Sequence, residues 1–190
     1  VASEGVIVVR MNDSGQKAIM LEINSETDFV ARDDNFNTFT KAVADCALQQ
    51  GVTDIDALMG VTYPGAEVSV AETKDQLVAK IGENITLRRM TNLNTDQNVG
   101  AYVHGGRIGV LLELDGGDQA VAKDIAMHIA ATNPMVTTPD QISEDVVAKE
   151  REIFIAQAEA SGKPREIAEK MVEGRLRKYF DEVSLVGQAF

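Results

Sequence analysis

Hydrophobic and polar positions along the chain change period several times, and each change marks an element. Gly5 to Met11 is rich in β-branched residues, Asn12-Asp13-Ser14-Gly15 is turn chemistry, and Lys17 to Asn24 alternates apolar and polar side chains. That pattern predicts a β-hairpin. Beyond the stretch Ser25–Asn35, which reads as a polar loop, Phe36, Phe39, Val43 and Cys46 or Ala47 recur at helical spacing. Asp33, Asp34 or Asn35 can cap this helix and Gly51 can end it. Thr53 to Met59 suits a short helix, and residues 61–68 suit a loop. Ser69 and Glu72 form a capping-box signature for a helix reaching Lys80 or Ile81, with Val70, Leu77, Val78 and Ile81 inward and Gly82 as its stop. Residues 83–93 read as extended, with Ile85, Leu87 and Arg89 on one face and Thr86, Arg88 and Met90 on the other. That alternation is imperfect. A second hairpin follows around Gly105-Gly106, and then a helix opened by Gly116-Gly117-Asp118, with Val121, Ala122, Ile125 and Ile129 on one stripe and Pro134 past its end.

From Pro139 the pattern thins. Two charged helical segments carry narrow apolar stripes: Val146, Ile153 and Ala160 on the first, and Ala168, Val172, Leu176 and Tyr179 on the second. Ser161-Gly162-Lys163-Pro164 separates them. An antiparallel helical hairpin standing off the body fits this pattern, and so do two ordinary helices lying on a core. The two hairpin-plus-helix units further upstream resemble each other. Leu21–Asn24 parallels Leu112–Asp115, and Lys41–Ala44 parallels Lys123–Ala126. The spacing from Leu21 to Lys41 exceeds that from Leu112 to Lys123 by nine residues. The excess is assigned to the stretch SETDFVARDDN, of which it makes up the greater part, and material a scaffold can do without is where function tends to reside.

Composition removes several classes of function. With 18 basic against 30 acidic side chains, a net charge of −12, the surface repels phosphate backbones, which argues against a nucleic acid as primary ligand. A single Cys excludes a disulfide within the chain and fits a reducing compartment. No apolar run approaches about 18 residues, so no membrane span is expected. The opening VASEGVIVV lacks the basic flank and cleavage pattern of a leader, and both ends read as cut from something longer.

Candidate chemistry is sparse. His128 neighbours an apolar stripe and reads as a core or rim histidine; His104, at a turn, reads equally as a partner contact or as a simple turn residue. The two histidines lack metal-ligand spacing. Asp28, Asp33 and Asp34 do not follow the order of a calcium loop, and capping explains the last two. A carboxylate-dependent hydrolase built on these three aspartates therefore has poor motif support. No phosphate-binding loop is present, and Cys46 falls on an apolar stripe. Phe29 stands out, with two readings. Phe29 and Val30 tuck back under their own loop, which is the simpler account, or Phe29 is an exposed aromatic held out to enter a partner's pocket.

The stretch LEINSETDFVARDDNF closely resembles the signature of the bacterial elongation factor Ts family, guanine-nucleotide exchange factors for the GTPase elongation factor Tu. VAKIGENITLRR, GAYVHGGRIGVLLEL, KDIAMHIAA and SGKPREIAEKMVEGRLRKYFDEVSLVGQ resemble further family blocks in the family's order, while the 50–70 region is longer than in common members. The resemblance implies an α+β fold of two related subdomains, each a small antiparallel sheet packed with helices, plus a protruding antiparallel helical hairpin. Its expected limits are 1–96 for the first core subdomain, 97–138 for the second, with 183–190 returning to it, and 139–182 for the coiled-coil-like hairpin. It implies a core fragment without the family's N-terminal docking domain and C-terminal module. It implies exchange without covalent chemistry, no cofactor or metal of its own, no direct nucleic-acid contact, no membrane, and a cytoplasmic setting. The implied contacts with elongation factor Tu are Thr27, Asp28, Phe29 and Val30 in the signature, Ile81 and Gly82 in KIGEN, and His104 in YVHGGR. In the family the Asp-Phe pair enters between two helices of the GTPase and disturbs the groups that hold Mg2+ at the nucleotide phosphates. The hairpin also offers a surface for self-association. A passive assembly module using that hairpin is the other reading of function.

Overall fold

A computed structural model describes residues 4–190; Val1–Ser3, the first part of the stretch read for a leader pattern, lie outside the described residues. The fold is α+β, in two compact units, residues 1–130 and 131–190.

The first unit is layered. Strands β1 (Glu4–Met11), β2 (Lys17–Ser25) and β3 (Thr86–Asn94) form an antiparallel sheet in the order β1-β2-β3. The predicted turn closes on itself through Asn12, whose Oδ1 accepts the amides of Gln16 and Lys17 at 3.1 and 2.9 Å. Because side chains alternate along a strand, Ile19, Leu21 and Ile23 all point from β2 into one core. That core is completed by helix α2 (Asp34–Gln50), through Phe36, Phe39, Val43 and Ala47. Gly51, with φ 65°, is the left-handed stop that ends α2. Arg10 of β1 pairs with Asp45 of α2 at the rim. Helices α3 (Ile55–Gly60) and α4 (Val70–Ile81) cover the rest with Leu58, Val70 and Leu77. The capping box that starts α4 is present. The Glu72 amide donates to Ser69 Oγ at 3.2 Å, and the Ser69 amide donates to Glu72 Oε2 at 2.9 Å.

The imperfect alternation of β3 has a structural cause. Glu22 pairs with Arg89 but its neighbour Ile23 pairs with Leu87, so Arg88 is the extra residue of a β-bulge. The bulge shifts the phase. Ile85 and Leu87 reach the core, but the next inward position is Met90, while Arg89 is exposed. The expected face of Ile85, Leu87 and Arg89 is corrected accordingly.

On the other face of this sheet lies the second hairpin, β4 (Asn98–His104) and β5 (Ile108–Leu114). Two glycines permit the approach. A Cβ on Gly109 would come within 2.5 Å of Ile7 and Met20 side-chain atoms of the first sheet. On the opposite face a Cβ on Gly100 would come within 2.3 Å of the carbonyl oxygen of Ala122 in helix α5 (Gln119–Thr132). This close approach explains why α5 buries its alanines, Ala122 and Ala126, whereas Val121 is left exposed, contrary to the predicted stripe.

The second unit centres on α6 (Glu144–Ala160) and α7 (Arg165–Val183), an antiparallel helical hairpin with its own small core. Ala168, Val172 and Leu176 of α7 pack as expected, joined by Phe180. On α6 the inward line is half-buried Phe154 and buried Ala158; of the predicted stripe Val146 is half-buried, whereas Ile153 and Ala160 are exposed, which corrects the stripe at those two positions. Ile153, Phe154 and Ile155 are consecutive, so apolarity alone does not fix the phase. Polar neighbours do, since Arg151 pairs with Glu173 and Arg175 donates to Gln157 at 2.8 Å while lying over the Phe154 ring. Residues after α7 return beside 135–137, with Met135 N donating to Val183 O at 2.8 Å and Leu185 N to Val136 O at 2.9 Å. No described helix is long and apolar enough to cross a membrane.

Candidate partner-binding site

The stretch after β2 is a helical turn, correcting the expected polar loop. Helix α1 (Asp28–Ala31) has four residues. Thr27 is its N-cap, with Oγ1 accepting the Val30 amide at 3.4 Å. Successive helical residues point about 100° apart, so Phe29 and its neighbour Val30 receive opposite fates. Val30 is 6% exposed in the main core, and Phe29 is 82% exposed. The tuck-under reading therefore holds for Val30 and fails for Phe29.

Such a short helix is not self-sustaining, because nucleation alone costs more than four residues return. Its surroundings hold it. At the far end Asn37 Nδ2 donates to Ala31 O at 3.0 Å and to Asp33 O at 2.9 Å. Asp33 then caps α2, accepting the amides of Asn35 and Phe36 at 2.8 and 3.1 Å. The Phe36 amide, followed by the other hydrogen bonds, keeps the Asp33 carboxyl below the usual carboxylate range despite some burial. At the near end Ser25, fully buried, donates its hydroxyl to Thr27 O at 3.0 Å. Asp28 pairs with Arg32 at 3.0 Å across one turn.

The segment after α4 adjoins this turn. Ile81 packs half-buried against the core, and Gly82, with φ 84°, reverses the chain. Nothing lies within 4 Å of where a Gly82 Cβ would stand, so its backbone is open to an approaching surface. Glu83 and Glu26, which no sequence motif marks, join the two segments. Thr27 donates its amide to Glu83 Oε2 at 3.1 Å and its hydroxyl to Oε1 at 2.7 Å. The Asn84 amide donates back to Glu26 Oε1 at 3.2 Å. Lys80 Nζ reaches Asn35 Oδ1 at 2.9 Å. Thr27, Asp28, Phe29 and Val30 are thus brought together with Ile81 and Gly82. The sequence signal for Glu83 was slight, an acid just beyond a helix-stop glycine with no periodicity to mark it.

His104 lies at the β4–β5 turn, exposed, with its Nδ1 3.1 Å from the Tyr102 hydroxyl. The turn is fixed to β1 by the Ile7 amide, which donates to Gly106 O at 2.7 Å, and by an Arg107–Glu4 ion pair. Glu4 faces Ser25 in the strand register, so this turn stands at the end of the sheet from which α1 departs. Beside the turn a groove of about 280 Å³ is lined by Glu4, Glu22, Asn24, Arg88, Arg89 and Arg107 among others. Burial pushes the Glu22 carboxyl up, but hydrogen bonds from Arg89 and Asn24 outweigh it and hold the group below the usual range. Its arginines are already paired with Glu22 and Glu4. Among the described residues no group of three or more His, Cys, Asp or Glu is placed to hold a metal. What the arrangement offers chemically is a rigidly mounted aromatic beside an acid, flanked by an open glycine turn.

A family model described as Elongation factor TS matches residues 26–190. The chain is 51% identical over 190 residues to Elongation factor Ts of Legionella pneumophila (strain Paris), a match that takes in the whole chain and 65% of that protein. It is 53% identical over 189 residues to Elongation factor Ts of Alcanivorax borkumensis, covering 66% of it. To Elongation factor Ts of Arthrospira platensis it is 48% identical over 189 residues, covering 76%.

Proposed function

The chain belongs to the elongation factor Ts family, and on that premise we propose that it is a guanine-nucleotide exchange factor that binds elongation factor Tu and promotes GDP release during translation elongation. It spans 65% of the length of the first relatives it matches, so the proposal concerns the part of the family's work that this core performs. The observation that carries it is Phe29, a large apolar side chain 82% exposed on a turn anchored at both ends. An aromatic exposed in this way gains on burial in a partner, where a hot spot is worth about 2–4 kcal/mol.

Exchange needs no covalent step. The GTPase holds GDP through phosphate contacts and a bridging Mg2+. Phe29 wedges between helices of the GTPase and favours a conformation in which those groups are displaced. Asp28 lies on the same turn and redirects polar groups near the metal; its partner Arg32 keeps it aimed without burying it. Ile81 and Gly82 supply a flat apolar and backbone surface beside the wedge, Thr27 and Val30 fasten it, and His104 makes a separate polar contact from the second hairpin.

Linkage supplies the test. If the chain weakens GDP binding by some factor, GDP weakens binding of the chain by the same factor. Calorimetric affinities for nucleotide-free and GDP-bound elongation factor Tu should differ by the ratio seen in GDP affinity with and without the chain. Equal affinities for the two forms would exclude the exchange role.

A further inference from the structure

Resting on that reading, we infer that Glu83 is a positioning residue for Phe29, acting through Thr27, with Glu26 completing a reciprocal clamp across the two segments. The Thr27 hydroxyl carries one hydrogen, and it is committed to Glu83 Oε1 at 2.7 Å. That commitment turns an oxygen lone pair toward the Val30 amide, the capping bond of α1. The other Glu83 oxygen takes the Thr27 amide at 3.1 Å, so one carboxylate holds both donors of the N-cap residue. Glu26, on the α1 side, accepts the Asn84 amide at 3.2 Å. Each segment thus offers a carboxylate to the other's backbone, in the manner of a capping box but between positions 56 and 58 residues apart in sequence.

The consequence is directional. Val30 fixes the depth of α1 in the core, and Asn37 holds its last carbonyl. Neither sets the rotation of the first turn, where Phe29 leaves the helix. The bidentate grip on Thr27 does, together with the Ser25 hydroxyl on the Thr27 carbonyl. Without it Thr27 loses the group that orients its hydroxyl, the cap weakens, and a four-residue helix has no reserve against fraying. Phe29 would then sample many directions, and a wedge must be held in one geometry to act. Gly82 contributes by turning the chain at φ 84°, so that Glu83 follows α4 directly and meets Thr27.

The test uses the full chain with two readouts. Amide hydrogen exchange should show protection at Val30–Asp33 falling about tenfold or more in Glu83→Ala, with α2 and α4 unchanged. Glu83→Gln, which keeps one acceptor oxygen, should fall between. In parallel, release of fluorescent GDP from elongation factor Tu should be accelerated about tenfold less by Glu83→Ala than by the unaltered chain. In a Phe29→Ala background the same substitution should cost much less, because Glu83 acts chiefly through Phe29 and only the aim of Asp28 remains to be lost. Unchanged protection at Val30–Asp33, or a penalty of equal size with and without the Phe29 ring, would overturn the inference. Failure of the unaltered chain to accelerate release would sink the exchange function itself, while the protection readout still decides whether Glu83 holds α1.

Discussion

Phe29 and Val30 are adjacent, similar in polarity and opposite in role. Val30 is core, and Val30→Ala should cost about 2 kcal/mol by lost burial and a residual cavity. Phe29→Ala removes a larger side chain yet should change stability by no more than about 0.5 kcal/mol, since the ring is already in solvent. Chemical denaturation of the two variants checks this inversion of size and effect. The simpler sequence reading buried Phe29 together with Val30, and the family signature grouped both as contacts while singling out the Asp-Phe pair. The separation comes from the four-residue turn of α1, too short to leave a periodic trace. Glu83 and Glu26 were silent for a related reason. Their meaning lies in contacts with residues more than fifty positions away, and no local pattern encodes such a pairing.

Among the elements, those with local punctuation were legible. The α4 capping box, the Gly51 and Gly82 stops and both hairpins are where spacing and turn chemistry put them. Ser69→Ala should cost about 1 kcal/mol in thermal or urea unfolding, by loss of the cap. The Glu72 carboxyl is held below its ordinary value of 4.5 chiefly by the Ser69 amide. A depressed carboxylate stabilises the fold above its unfolded value and loses that contribution as pH falls through the folded one. Glu72→Gln retains a capping oxygen but no charge, so wild type should exceed it in melting temperature at neutral pH, with the gap closing below about pH 4.5. A gap constant down to pH 3 would contradict the assignment. Where packing chose the phase, local reading failed. The bulge at Arg88 turned Arg89 outward, the Gly100 approach made alanines the buried residues of α5, and three consecutive apolar residues hid which side of α6 faces α7. Gly109→Val tests the hairpin approach, since its side chain would overlap Ile7 and Met20, and the expected cost is about 1–3 kcal/mol from overpacking.

At the scale of the molecule, each unit has its own core, a large one between the three-stranded sheet and its helices and a small one between α6 and α7. Leu176 is the fully buried centre of the small core. Leu176→Ala should raise amide exchange through 144–183 while leaving strand β2 at wild-type protection, since a cavity of this kind costs about 2–5 kcal/mol where it is made. The repeat seen in the sequence corresponds to two hairpins each followed by a helix, and its nine-residue excess contains α1. Under the proposed function, the exposed Phe29 on its clamped turn within that excess drives nucleotide release. Stopped-flow release of fluorescent GDP from elongation factor Tu tests it most directly, with the unaltered chain, Phe29→Ala and the surface control Lys149→Ala compared at equal concentration. Acceleration is expected from the unaltered chain and from Lys149→Ala, with a loss of about 30-fold or more of it in Phe29→Ala, as removal of a hot spot of about 2 kcal/mol requires. Equal acceleration by Phe29→Ala and Lys149→Ala would contradict it.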